Sequence, residues 1–244
     1  GYGPKNHIYT ILIWMSDDVN GQDLKNHLWV PGQEGYRQAN YNYAWYNNPY
    51  FASYNLKQAQ DRDVVDMQLK GSYKFTKDLV LQLRGNGRNI SNFESMKSPK
   101  SYMNYGDSRN GDYKNWNTHQ LNFDADALLT YSKDITDNIQ IGINAGASLF
   151  NRKYTQEYQS TDGLIVPEVY SLNNTQGPVQ ANNSRYEKSI RSIYGAANID
   201  LYNAVFLSFT ARNDWSSTLP TSNNSYFYPS VSLSTMVSEY VKMP

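Results

Sequence analysis

The stretch "IQIGINAGASL", residues 139–149, constrains the fold more tightly than any other. Its odd positions from Ile139 to Leu149 are all apolar, and Gln140, Gly142, Asn144, Gly146 and Ser148 fill the even ones. Side chains alternate between two faces only along an extended strand, so the segment is a ribbon with one oily and one wet side. The pattern recurs. Val65, Met67, Leu69, Gly71 and Tyr73 oppose Asp66, Gln68, Lys70 and Ser72, and Leu79, Leu81 and Leu83 oppose Val80, Gln82 and Arg84. Leu121, Phe123, Ala125, Ala127, Leu129 and Tyr131 oppose Asn122, Asp124, Asp126, Leu128 and Thr130. Residues 193–201, 205–214 and 231–237 complete a set of seven, and no helical period follows residue 60. The chain reads as antiparallel all-β.

Composition narrows the setting. The 22 basic and 22 acidic residues balance to zero net charge, which argues against a nucleic-acid partner. Only 39% of residues are hydrophobic, yet the 22 tyrosines argue against disorder, whose signature is a shortage of aromatics. The chain has no cysteine, so disulfides, zinc–thiolate sites and thiol nucleophiles are excluded. No run reaches 18 apolar residues, so no transmembrane helix is expected. A barrel strand is different: about 9–11 alternating residues suffice to cross a bilayer. Gly1–Lys5 does not open a secretory signal, so a leader is expected to have been removed or the chain to be an internal piece.

Alternation suits a soluble sandwich as well as a membrane barrel, and the connections favour the barrel. Tight turns are expected at "FTKD", "SKDITDN" and "YN", separated by long connections over 92–116, 156–185 and 216–225. Loops beyond about 12–15 residues are uncommon in compact domains. Short turns alternating with long loops are what a barrel with short periplasmic turns and long extracellular loops produces. Aromatics such as Tyr73, Phe75, Tyr131, Phe150, Tyr202 and Tyr228 fall near strand ends, where interfacial girdles stand. Residues 1–60, with a possible short helix at 8–15, are expected to form an extracellular loop region, and 61–244 to belong to the barrel wall.

Enzyme and metal signals are weak. His7, His27 and His119 lack ligand spacing, "GNG" at 85–87 lacks the lysine of a phosphate loop, and "DDVNGQD" (17–23) has its glycine misplaced for an EF-hand. Asp124 and Asp126 are roughly 6.6 Å apart along a strand, a spacing tolerable for glycosidase carboxylates. They share a wet face with Asn122 and Thr130, which makes lumen lining the better reading, together with Asn144, Asn198 and Arg212. The run "YRQANYNYAWYNNPYF" (36–51) holds Tyr43, Trp45, Tyr46 and Tyr50, whose rings could stack on sugars or clasp peptide side chains, or pack the loop itself. Asn42, Asn47 and Asn48 would add donors and acceptors, and Trp116 and Tyr170 carry the same two readings in other long loops. No cofactor is expected.

Several segments together resemble the SusC/RagA family of TonB-dependent outer-membrane transporters of Bacteroidetes. They are "NNPYF" (47–51), "RDVVDMQLKGSYKFTKDLVLQLRGNG" (62–87), "GLIVPEVYSLNN" (163–174), "SIRSIYGAANIDLYNAVFLSFTARNDWSSTLP" (189–220) and "NNSYFYPSVSLS" (223–234). Trp215 stands where many members have glycine. The resemblance implies about seven strands of a larger, 22-stranded plugged barrel in the bacterial outer membrane, hence an internal fragment of it. It further implies import of oligosaccharides or peptides beneath a SusD-like surface lipoprotein, driven by a TonB complex, with outer-membrane lipid around the wall. The reading from another class is a soluble β-rich carbohydrate-binding or adhesive surface module.

Overall fold

The structure, a computed structural model, describes residues 15–42, 46–104, 107–108 and 110–237. Seven long strands form one antiparallel sheet: β1 (Lys57–Lys74), β2 (Leu79–Ser98), β5 (Asp112–Thr136), β6 (Ile139–Ser160), β7 (Gln180–Leu201), β8 (Val205–Ser216) and β9 (Ser225–Thr235), neighbours in that order. β3 (Met103–Asn104) and β4 (Asp107–Ser108) make a separate two-stranded hairpin. Among the described residues, two short helices, α1 (Gly21–Asn26) and α2 (Pro49–Asn55), precede the sheet. Six of the seven alternating segments fall inside one long strand each, and the last, 231–237, runs two residues past the end of β9. The expected fold class is borne out.

Register follows the alternation, because a one-residue slip would turn every side chain to the wrong face. Across β7, β8 and β9, Ile199 faces Leu207 and Leu207 faces Leu233, while Ala197 faces Phe209 and Phe209 faces Val231. Between these apolar rows lies a polar one, Asn198–Ser208–Ser232, and three residues beyond the second lies another, Tyr194–Arg212–Tyr228. The turns are as tight as expected. Between β7 and β8, Tyr202 and Asn203 both take positive φ and Ala204 N–H donates to the Leu201 carbonyl at 3.1 Å, the geometry of a hairpin turn that follows strand twist. Between β1 and β2, the Thr76 hydroxyl accepts from the N–H groups of Asp78 and Leu79.

The chain forms two compact units, and the division falls within the strands. One comprises residues 64–90, 119–155 and 185–244 and is here called the wall unit. Its apolar rows are exposed: Leu69 at 80%, Leu233 at 68% and Ile143 at 46%. Among the described residues no second sheet covers them, since the sole other sheet is the β3–β4 hairpin of the other unit. A sandwich would require such a layer.

The other unit comprises residues 1–63, 91–118 and 156–184 and is here called the loop unit. It holds a small true core: Phe51, Ala52, Met96, Tyr102, Met103 and Leu164 are buried. The strands are longer than the alternation predicts. β2 runs on to Ser98, β5 starts at Asp112, β6 ends at Ser160 and β7 starts at Gln180, so the strands consume much of the expected loops. Trp116, expected in a loop, lies in β5. The possible helix at 8–15 lies almost wholly outside the described residues.

Candidate functional site

The wet face of the wall unit is a network of side chains that reach between strands. Tyr194 on β7 donates its hydroxyl to Asp126 Oδ2 on β5 at 2.5 Å, and Arg84 of β2 approaches Asp126 Oδ1 at 3.5 Å. Tyr194 must pass β6 to do so. It passes over Gly146, where any Cβ would overlap the hydroxyl end of its phenol, at Cζ, Cε2 and Oη. Arg212 of β8 donates from Nε to Asp214 Oδ1 at 2.7 Å and from Nη2 to the Ser192 hydroxyl at 2.9 Å, with its guanidinium 5.6 Å from the Tyr194 ring centre. Tyr228 of β9 donates to Asp214 Oδ2 at 2.8 Å. Together Arg84, Asp124, Asp126, Tyr194, Arg212 and Asp214 line a depression of about 590 Å³.

The sequence placed Asn122, Asp124, Asp126, Asn144, Asn198 and Arg212 on this face. Asn122 accepts from Arg152 Nε and from Gln120, both at 3.2 Å, and with Asp124 it borders a second depression of about 470 Å³ beside Asp66 and Arg88. Asn198 accepts from the Ser208 hydroxyl at 2.7 Å. Asn144 is half-buried on β6, in step with Gly146. Asp124, Asp126 and Arg212 therefore share one depression, whereas Asn122, Asn144 and Asn198 stand elsewhere. Tyr194, Gly146, Arg84 and Asp214 were missed. The glycines at 142 and 146 on a wet face were the available signal, since an empty position in a strand often marks close approach by a neighbour.

The loop aromatics separate. Tyr43 and Trp45 lie outside the described residues. Tyr46 stacks on Tyr41 at 6.5 Å, and Tyr50 packs on Tyr54 at 6.3 Å. Trp116 packs on Tyr158 at 5.3 Å. Tyr170 donates to Glu168 Oε2 at 2.7 Å with the Lys97 ammonium 5.7 Å from its ring, and burial together with Glu168 raises its pKa. Asn47 and Asn48, expected to serve a solute, are buried and committed to the chain itself, which corrects that reading. Asn48 caps α2 through the N–H groups of Tyr50 and Phe51, and its amide donates to the carbonyls of Leu24 and Ala39. Asn47 bonds both the N–H and the carbonyl of Met103. Gln38 joins the group by donating to Asn47 and to the Ser101 carbonyl while accepting from the Asn48 N–H. Near the weak calcium pattern, Asp23 binds His27 Nδ1 at 2.8 Å, and among the described residues no three metal-ligating side chains cluster.

No protein-family model matches the chain, and no curated protein matches it. Solved structures do. The RagAB peptide transporter matches at a TM-score of 0.72 with 15% identity, covering 82% of this chain and 22% of that one. The RagAB peptide importer in its closed-closed state matches at 0.69 with 16% identity, covering 80% and 22%. In the open-open state the match is 0.67 with 16% identity, covering 77% and 21%. This chain has the fold of an outer-membrane barrel wall. The resemblance read from its motifs and the likeness of its fold point the same way. The chain spans about a fifth of the length of the solved structures it matches.

Proposed function

We propose that the sheet is a stretch of the wall of a TonB-dependent outer-membrane importer, an arc of a larger barrel. The carrying observation is the pairing of an uncovered apolar face with a hydrogen-bonded polar face on the same seven strands. Lipid covers the first and solute passes the second. In a bilayer every backbone group must find an internal partner, which a closed run of strands supplies.

In this reading the solute is an oligosaccharide or a peptide, delivered beneath a SusD-like lipoprotein. Tyr46, Tyr50, Trp116 and Tyr170, with Tyr43 and Trp45, are the rings proposed to meet it. The polar face of the wall then offers paired charges, Arg84 with Asp126 and Arg212 with Asp214, already satisfied by each other. Such groups hold a solute weakly enough to release it, as transport requires. No covalent chemistry is involved.

Uptake tests this. Cells carrying the whole protein should accumulate a fluorescent oligopeptide or oligosaccharide library, and collapse of the proton-motive force should stop them. Accumulation of neither class, by energised cells with the protein correctly inserted, would remove the import reading.

A further inference from the structure

The outward face of the wall unit is not uniformly studded. An apolar depression of about 1040 Å³ crosses it, bordered by Leu69 of β1, Leu83 of β2, Ala127 of β5, Ala147 of β6, Ile193 of β7 and Trp215 of β8. Arg191 stands at its edge, directly opposite Trp215 in the β7–β8 register. The Arg191 side chain is on the same face as Ile193, two residues along the strand, and it is exposed. No hydrogen-bonding or ion-pairing group among the described residues engages its guanidinium.

Height gives this placement meaning. Arg191 precedes the strand end at Leu201 by ten residues. At about 3.4 Å per residue and a tilt of about 40°, that puts it roughly 25 Å from the turn, the height of the apolar band of such barrels. Leu83, four residues after the start of β2, is by the same reasoning roughly 10 Å up, near mid-band. The trough therefore runs from the middle of the hydrocarbon layer to its rim, and a cation and a tryptophan mark the rim end. Tryptophan favours that level of a membrane. A guanidinium there faces phosphate, to which its planar fork binds in bidentate fashion.

We infer that this face carries a seat for one phosphorylated lipid of the surrounding bilayer, an acyl chain lying in the trough and the phosphate on Arg191. Charge complementarity and the rim-to-middle run of the trough select this occupant. A protein partner would have to enter hydrocarbon with an unmatched arginine at its edge. The inference rests on the membrane reading proposed above.

Native mass spectrometry of the whole protein, purified from membranes in detergent and given dioleoyl phosphatidylglycerol, tests it. One phospholipid should survive collisional activation that strips the others. Arg191→Gln should lower its retention at least fivefold, and Ala147→Phe, which fills the trough, should do the same. Dioleoylglycerol, lacking the phosphate, should show no preference for the unaltered protein. Each variant attacks a different half of the seat, so one that fails to fold leaves the other to decide. Equal phospholipid retention by the unaltered protein and the folded variants overturns the seat and leaves the wall standing. A protein that stays soluble without detergent and keeps no lipid overturns the membrane reading itself.

Discussion

The ring of Tyr194 occupies the space above Gly146, and from there its hydroxyl donates to Asp126 one strand further on, at 2.5 Å. One side chain thus spans three strands, β5, β6 and β7, and glycine is what lets it through. Gly146→Ala should push the ring aside and break the bond to the carboxylate, a loss of about 1.5–3 kcal/mol for a charge-assisted hydrogen bond. In a Tyr194→Phe background, where no such bond exists, the same alanine should cost markedly less. A double-mutant cycle by urea unfolding in lipid vesicles measures the difference, and additive costs would show that the two residues act independently.

The loop unit depends on Asn48, which is 0% exposed and uses both ends of its amide. Its oxygen caps α2, and its nitrogen serves the carbonyls of Leu24 and Ala39. Asn48→Ala should destabilise this unit by about 2–4 kcal/mol, a lost cap plus two stranded acceptors. Asn48→Asp keeps the cap but turns an acceptor toward two carbonyls, so it should be no milder. Amide exchange at Phe51 and Ala52 reports the effect. An aspartate variant as protected as the original would mean that the cap alone matters.

How much of this was legible depends on what each residue faces. Where one face of a strand is apolar and the other polar, as along 139–149, alternation is enforced and the strands could be read directly. Beyond that band both faces can be polar. "DYKNWNTH" (112–119) shows no alternation, so the start of β5 was hidden and Trp116 was assigned to a loop. Asn48 did carry a readable signal, since asparagine directly before proline marks a helix start. The Tyr194–Asp126 bond did not, because it depends on which strands become neighbours.

Tyr102 offers a pH test within the loop unit. Its side chain is buried, its hydroxyl has no hydrogen-bond partner among the described residues, and burial pushes its pKa up to about 12. The folded state thus favours the neutral phenol. This contribution to stability is complete below the ordinary tyrosine pKa of about 10 and is lost as pH rises through about 12. Subtracting the 295 nm titration of Tyr102→Phe from that of the original protein should isolate a tyrosinate step near the upper value. A step at the ordinary value would contradict the burial. At neutral pH the phenylalanine variant should be neutral or up to about 1 kcal/mol more stable, since it removes an unsatisfied buried group.

The orientation of the sheet has its own test at two adjacent residues of β6. Ile143 is exposed on the apolar face, and Asn144 faces the opposite way. Ile143 follows the start of β6 by four residues, which places it roughly 10 Å into the apolar band. Ile143→Arg should therefore cost about 2–4 kcal/mol, the penalty for arginine near the bilayer midplane. Asn144→Arg adds the same cation to a polar face that already holds Arg84 and Arg212, and it should cost under about 1 kcal/mol, as expected of a lumen position. Folding of the whole protein into phosphatidylcholine vesicles, followed by reversible denaturant titration, separates the two. Comparable costs at both positions, or a larger one at Asn144, would mean that hydrocarbon does not lie against Ile143. The lipid seat at Arg191 and the polar path past Tyr194 would then exchange faces, and neither could work as described.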